Sequence, residues 1–357
     1  MNINNFLWLD FAIFPWILIS LVLNGLIVFA WHKKLYKHIN LKKYQGIQRI
    51  HVNEVPRLGG LIFVVSLSGY LLSSSGIDSI ILLRQMLYCS IPVLLVALKE
   101  DLYHNVDPTL RLLALLLTAW FFRAFYTGPL PNLENITFIN KLILLPGGIA
   151  LFYSLGIVSI ANGMNLIDGV NGLCVSVVLS CLFSLLFLAH KTGDVTILMM
   201  LSSLIVLLIP FLIFNYPYGK IFLGDLGAYS LGIFLSLATI IFFGRHLDIS
   251  PWGGLLVLIY PATEVAFSFL RRTIKGNSAF DPDTEHLHLK LFYCFKSGPK
   301  FKKIANALVA PSLSLLWLYP LIAISWVHNK PSSITFVIVL FVIGYLSLNL
   351  IISKIKK

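Results

Sequence analysis

Phe214 to Gly227 reads F-N-Y-P-Y-G-K-I-F-L-G-D-L-G and lies between two long apolar runs. It carries one acid, Asp225, flanked by Gly224 and Gly227. A carboxylate among small residues at the mouth of a hydrophobic helix is hard to account for as packing. It suits a ligand to a divalent ion, which needs bare backbone around it.

The apolar runs on either side belong to a longer series. The 357 residues are 58% hydrophobic and 12% charged, with a mean hydropathy of +0.86. A soluble domain carries about a quarter charged residues, so this composition points to an integral membrane protein. Stretches near twenty apolar residues indicate helices, not a barrel. Eleven spans are expected, at roughly 11–31, 58–75, 80–98, 110–126, 145–160, 172–190, 195–214, 226–243, 252–270, 304–327 and 332–352. No long polar segment separates them. The expected architecture is all-α, one polytopic domain over 1–357. Met1 to Asp10 has no Lys or Arg, and Phe11 to Trp31 is too long for a signal h-region, so the first helix is expected to remain as a span. Cys89, Cys174, Cys181 and Cys294 form no C-x-x-C pair and read as apolar packing.

These spans sort the connections into two sets. Loops 32–57, 99–111, 161–171, 215–225, 271–303 and the tail from Ser353 hold 21 of the 27 Lys and Arg. The bias places that set in the cytoplasm, with the N-terminus outside and the C-terminus inside. The net charge of +12 then reflects membrane topology and anionic substrates, and a nucleic-acid partner is not expected. Most acids lie on the same side: Glu54, Glu100, Asp101, Asp107, Asp168, Asp225, Asp281, Asp283 and Glu285, with Glu264 in the ninth span. Acids lining a path through the bilayer would stand at mid-helix depth, so an interfacial enzyme is favoured over a secondary transporter of a phosphorylated or nucleotide-linked solute.

Five cytoplasmic stretches carry candidate chemistry. Arg49 to Gly60 reads R-I-H-V-N-E-V-P-R-L-G-G, and the Pro56 to Gly60 turn would present Arg49, His51 and Arg57 beside headgroups and phosphate. Glu100 and Asp101 stand together at the end of the third span, a like-charged pair that a cation or substrate would relieve. Ala161 to Leu173 carries Asn162, Asn165, Asp168 and Asn171; the spacing of three puts Asn162, Asn165 and Asp168 on one helical face. The opening stretch adds Asn215, Lys220 and Asp225. The largest loop supplies Arg271, Arg272 and Lys275, then His286 and His288, which alternate with leucine and read as one side of an extended segment. No Cys or third His accompanies them, so phosphate contacts fit better than zinc. Carboxylates without thiolates select Mg²⁺, or Mn²⁺, and such ions with Arg and Lys equip a site for phosphoryl transfer. There is no G-x-x-x-x-G-K-[ST], which argues against ATP binding of that kind.

In this order the motifs resemble the polyprenyl-phosphate N-acetylhexosamine-1-phosphate transferase superfamily, glycosyltransferase family 4, over about residues 49 to 290. Asp225 in F-L-G-D-L-G resembles the family's F-M-G-D-x-G acid, the expected Mg²⁺ ligand. Asn165 and Asp168 match N-x-x-D-G, implying a nucleotide and metal pocket with Asp168 as a second metal ligand. Glu100 and Asp101 occupy the place of the family's paired aspartates, Asn215 that of the Asn preceding the metal motif, and His286 and His288 begin an H-I-H-H-type run. The sequence departs from the family in having Glu100 in place of Asp and Leu289 in place of a further His. The R-x-H-x-x-x-x-P-R-x-G-G stretch looks more like the O-antigen and common-antigen branch than the muramoyl-pentapeptide branch. The resemblance implies transfer of a HexNAc 1-phosphate from a UDP-sugar to undecaprenyl phosphate, with release of UMP, at the cytoplasmic face of a bacterial inner membrane. It implies Asp225, Asp168, Glu100 and Asp101 as catalytic groups. Arg49, His51, Arg57, Asn162, Asn165, Asn215, Arg271, Arg272, His286 and His288 would be substrate-binding. A homodimer is compatible with it.

Overall fold

In the computed structural model, residues 9–35, 55–131, 145, 147–276, 285–328 and 330–355 are described. Every regular element among them is helical, as expected where lipid offers no partner for a free N–H or C=O. The helices are α1 (Phe14–His32), α2 (Gly59–Ser73), α3 (Asp78–Tyr103), α4 (Pro108–Phe125), α5 (Gly148–Ile167), α6 (Leu173–Thr192), α7 (Val195–Asn215) and α8 (Gly224–Arg245). They continue with α9 (Trp252–Val257), α10 (Ile259–Ile274), α11 (Leu287–Ser297), α12 (Ala305–Ser312), α13 (Ser314–Trp317), α14 (Tyr319–Val327) and α15 (Pro331–Ile355).

Among the described residues, eight helices are long and apolar enough to cross a membrane, and the bent segment Ala305–Val327 makes a ninth if it counts as one span. Two expected spans are broken. The 252–270 stretch is α9 and α10, meeting at Leu258 just before Pro261, whose ring nitrogen has no hydrogen to donate. The 304–327 stretch divides near Pro311 and Pro320 and bends by 41°. Helix α2, at 15 residues, is short for a 30 Å hydrocarbon core.

Helix α8 is the axis of the bundle. Every residue from Gly224 to Gly244 is buried, and α2, α3, α5 and α6 pack around it. Such an environment requires small side chains where backbones meet. Ser230, Ser236 and Thr239 return their hydroxyls to carbonyls of Gly227, Gly232 and Leu235 at 2.7–2.9 Å, so these three donors of α8 are satisfied within the helix. Gly60 of α2 lies directly on the backbone of Gly227, where a Cβ would collide. Gly60→Ala is accordingly expected to push α2 off α8 and to cost about 1–3 kcal/mol, measured as a lower unfolding midpoint in detergent. A midpoint equal to wild type would show that the helices can separate freely.

The far end of α8 is also tied down. Asp194 caps α7 through Ile197 N–H (3.1 Å) and receives Arg245 Nε at 2.7 Å, with His246 Nε2 3.0 Å away. Both ends of the central helix are therefore held by carboxylates from neighbouring elements, and the near end carries the site.

Candidate functional site

The start of α8 is assembled from three chain segments. Residues 56–60 run alongside 222–223: Phe222 N–H donates to Pro56 C=O at 2.8 Å, Gly59 N–H to Phe222 C=O at 2.9 Å and Gly60 N–H to Leu223 C=O at 2.8 Å. That pairing fixes Arg57 beside α8. Its Nε donates to Asp101 Oδ1 at 3.2 Å and its Nη2 to Asp225 Oδ1 at 2.6 Å. Arg111, one turn into α4, donates from Nη1 to Asp225 Oδ2 at 3.3 Å.

Asp101, in the last turn of α3, is a cap supplied from another helix. Its two oxygens accept Asp225 N–H and Leu226 N–H, each at 2.8 Å, satisfying donors that open α8 without an intrahelical partner. The anion also sits at the positive end of the helix dipole. Gly224 makes this approach possible. Its φ of +77° is left-handed, and a Cβ there would lie 2.6–2.7 Å from the Asp101 oxygens and 2.8 Å from Arg57 C=O. The glycine before Asp225 is thus set by geometry on both counts.

Glu100 does different work from its neighbour. Its Oε2 accepts Val106 N–H at 2.8 Å, closing the α3–α4 turn, and Val106 C=O in turn accepts Arg111 Nη2 at 3.3 Å. Glu100 thereby aims Arg111 at Asp225.

Asp168 follows the last residue of α5, with Asn162 and Asn165 on the helix before it. Asn165 Nδ2 donates to Tyr229 O–H of α8 at 3.2 Å, whereas Asn162 bonds back to Val158 C=O at 2.9 Å. Among the described residues the Asp168 carboxylate accepts no hydrogen bond. Burial pushes its carboxyl up to about 7; Arg57 opposes that shift and the negative Asp225 adds to it. Asn215 is occupied by scaffold, accepting Gly172 N–H at 2.7 Å and donating to Ile221 C=O at 2.8 Å. Asn171 similarly donates to Pro217 C=O at 2.9 Å. Together they lock the turn after Asp168 to the segment before Asp225.

The histidines correct the extended-segment expectation. His286 is extended, but α11 begins at Leu287, so His288 is already helical. The rings still come together, stacked with centroids 5.7 Å apart and planes at 11°. Both are buried, and the His288 Nε2 edge rests on Gly169, beside Asp168. Arg271 donates to Glu285 C=O at 3.1 Å and stacks on Phe267 at 5.2 Å, securing the residue before His286. Arg272 is buried in the same helix. Arg49 and His51 lie outside the described residues.

Arg57, Asp101 and Asp225 therefore meet at the start of α8, Asp168 lies within electrostatic reach of Arg57 and Asp225, and Asn165 and His288 reach Tyr229 and Gly169 next to them. Sequence reasoning missed Arg111 and Tyr229. The available signal for Arg111 was a lone cation one turn inside an apolar helix, four residues after the capping Asp107.

The glycosyl transferase family 4 model matches residues 83–243. The chain is 30% identical over 199 residues to the undecaprenyl-phosphate alpha-N-acetylglucosaminyl 1-phosphate transferase of Thermotoga maritima, covering 56% of this chain and 58% of that relative. It is 25% identical over 274 residues to the probable undecaprenyl-phosphate N-acetylglucosaminyl 1-phosphate transferase of Bacillus subtilis, covering 76% and 75%. A phospho-N-acetylmuramoyl-pentapeptide-transferase of Streptococcus thermophilus is 30% identical over 190 residues, covering 50% and 54%. The matched span carries Asp101, Arg111, Asp168 and Asp225, and over that span the chain is similar to glycosyl transferase family 4.

Proposed function

We propose that this protein transfers a HexNAc 1-phosphate from a UDP-sugar to undecaprenyl phosphate at the cytoplasmic face of the bacterial plasma membrane, beginning an envelope glycan. The observation that carries the reading is the meeting of Arg57 and Arg111 on Asp225 at the start of α8, within electrostatic reach of Asp168, whose carboxylate accepts no hydrogen bond among the described residues. Guanidiniums at a helix N-terminus suit a pyrophosphate, and hard carboxylates suit a divalent cation. The relatives' names support both the polyprenyl acceptor and the sugar, and the bias of Lys and Arg supports the orientation.

In the reaction, an oxygen of the lipid phosphate attacks the sugar-linked phosphorus and the bond to the UMP oxygen breaks. UMP leaves, and the products are undecaprenyl-pyrophosphate-sugar and UMP. A phosphate monoester has its second pKa near about 6, so the nucleophile is mostly ionised at neutral pH and needs little general-base help. Arg57 and Arg111 bind and orient the donor's phosphates. Asp101 holds the α8 N-terminus, and so Asp225, in place. Among the described residues no three His, Cys, Asp or Glu side chains form a ready-made metal cage. Mg²⁺ fits that sparse donor set, since it keeps waters and substrate phosphates among its ligands. Held by Asp225 and Asp168, it would neutralise charge on the pyrophosphate. A transporter would place its acids at mid-helix depth, whereas Asp101, Asp168 and Asp225 stand at helix ends.

Purified full-length protein in detergent, given undecaprenyl phosphate and a panel of UDP-HexNAc donors, is expected to release UMP only with Mg²⁺ or Mn²⁺ present. UDP-GlcNAc is the expected best donor. Absence of UMP with every donor would overturn the assignment.

A further inference from the structure

Glu264 lies in α10, outside the family-matched span, and is 0% exposed. A carboxylate so placed needs partners to offset its lost hydration. It has one for each oxygen: His286 Nδ1 stands 2.9 Å from Oε1, and Tyr345 O–H of α15 donates to Oε2 at 2.7 Å. Facing a carboxylate, His286 Nδ1 is the protonated ring nitrogen, so the tautomer and the ring orientation are set together. The His286 ring stacks on His288, and His288 Nε2 occupies the space that a Cβ on Gly169 would need. His288 is buried, its imidazole held down to about 4 by that burial and therefore neutral. Its Nδ1 has no hydrogen-bond partner among the described residues. An unbroken line thus runs from the last helix through Glu264 and both imidazoles to the residue next to Asp168.

We infer that Glu264 is a positioning residue for the transfer reaction: it fixes His286 with its proton on Nδ1 and, through the stacked rings, seats His288 against Gly169 beside Asp168. The inference rests on the function proposed above. Packing does not account for Glu264, because apolar residues of similar volume serve a core as well as a buried ion pair does, or better. The wall of the site is on this view completed by α10, α11 and α15, which carry none of the metal-binding acids.

The test is a kinetic cycle on the full-length protein in detergent, with UMP release as readout. Glu264→Met keeps the volume and removes both hydrogen bonds. It is expected to lower kcat about tenfold, with KM for the UDP-sugar changed less than about twofold. Glu264→Gln, which can bond both partners, is expected to recover most of that loss. In a His286→Ala background Glu264→Met is expected to change nothing further, because Glu264 acts through that ring. Turnover of Glu264→Met at the wild-type rate, or a loss that multiplies with that of His286→Ala, overturns the inference. Should Glu264→Met fail to fold, Tyr345→Phe makes the same comparison. Its loss of about threefold is expected to vanish in the His286→Ala background, and an equal loss in both backgrounds is contrary. No UMP from the wild type overturns the function and this inference with it. UMP from the wild type with an indifferent Glu264→Met overturns the inference alone.

Discussion

Asp225→Asn is expected to abolish UMP release, by on the order of a thousandfold, in a protein that still folds. Asparagine preserves shape and one acceptor oxygen, so Arg57 can keep its bond to that position. What is lost is the formal charge at the one point where two guanidiniums and the α8 N-terminus converge. Under the proposed function, Mg²⁺ held by Asp225 would need that anion, and an amide would be a poor ligand for it. The measurement is Mg²⁺-dependent UMP release beside an unfolding midpoint in detergent. Near-normal turnover would remove Asp225 from the chemistry.

The second large effect falls on stability. Asp101→Ala removes the acceptor for Asp225 N–H, Leu226 N–H and Arg57 Nε at once. Each stranded buried amide costs about 1–3 kcal/mol, and breaking a buried charge pair costs about 3–5 kcal/mol. A net loss of about 3–5 kcal/mol is expected, seen as a much lower unfolding midpoint with activity falling in parallel. Asp101→Asn, which keeps one acceptor oxygen, is expected to fall between the two. A fully stable yet inactive Asp101→Ala would assign Asp101 to the reaction itself and not to the α8 cap.

These two acids illustrate how far the sequence could be read. Asp225 was legible because its surroundings were odd: glycine on each side of a charge at the edge of an apolar run. The stagger of Asn165 and Asp168 was legible too, since helical spacing alone puts them together. The role of Asp101 was not. A cap donated by another helix leaves no local pattern, and the chain separates Asp101 from its N–H partners by 124 and 125 residues. Arg111 was counted only as one more cation, for its meaning depends on where α4 points. Asn215 looked like part of a binding motif, yet its amide ties two turns together, because a polar side chain between apolar runs serves scaffold and substrate equally well on paper. The breaks at Leu258 and near Pro311 shared a cause: hydropathy averages over a span and passes across one missing N–H.

Helix α8 has no lipid face, and that separates the floor of the site from the bilayer. Membranes thicken, thin and change composition, and a helix in contact with acyl chains answers by tilting. Helix α8 feels such changes only through the neighbours that enclose it, and it is clamped at one end by Asp101 and at the other by Asp194. Asp225 therefore rides on the part of the molecule best insulated from the surrounding membrane. The enclosing helices can follow the bilayer while Asp225 keeps its position.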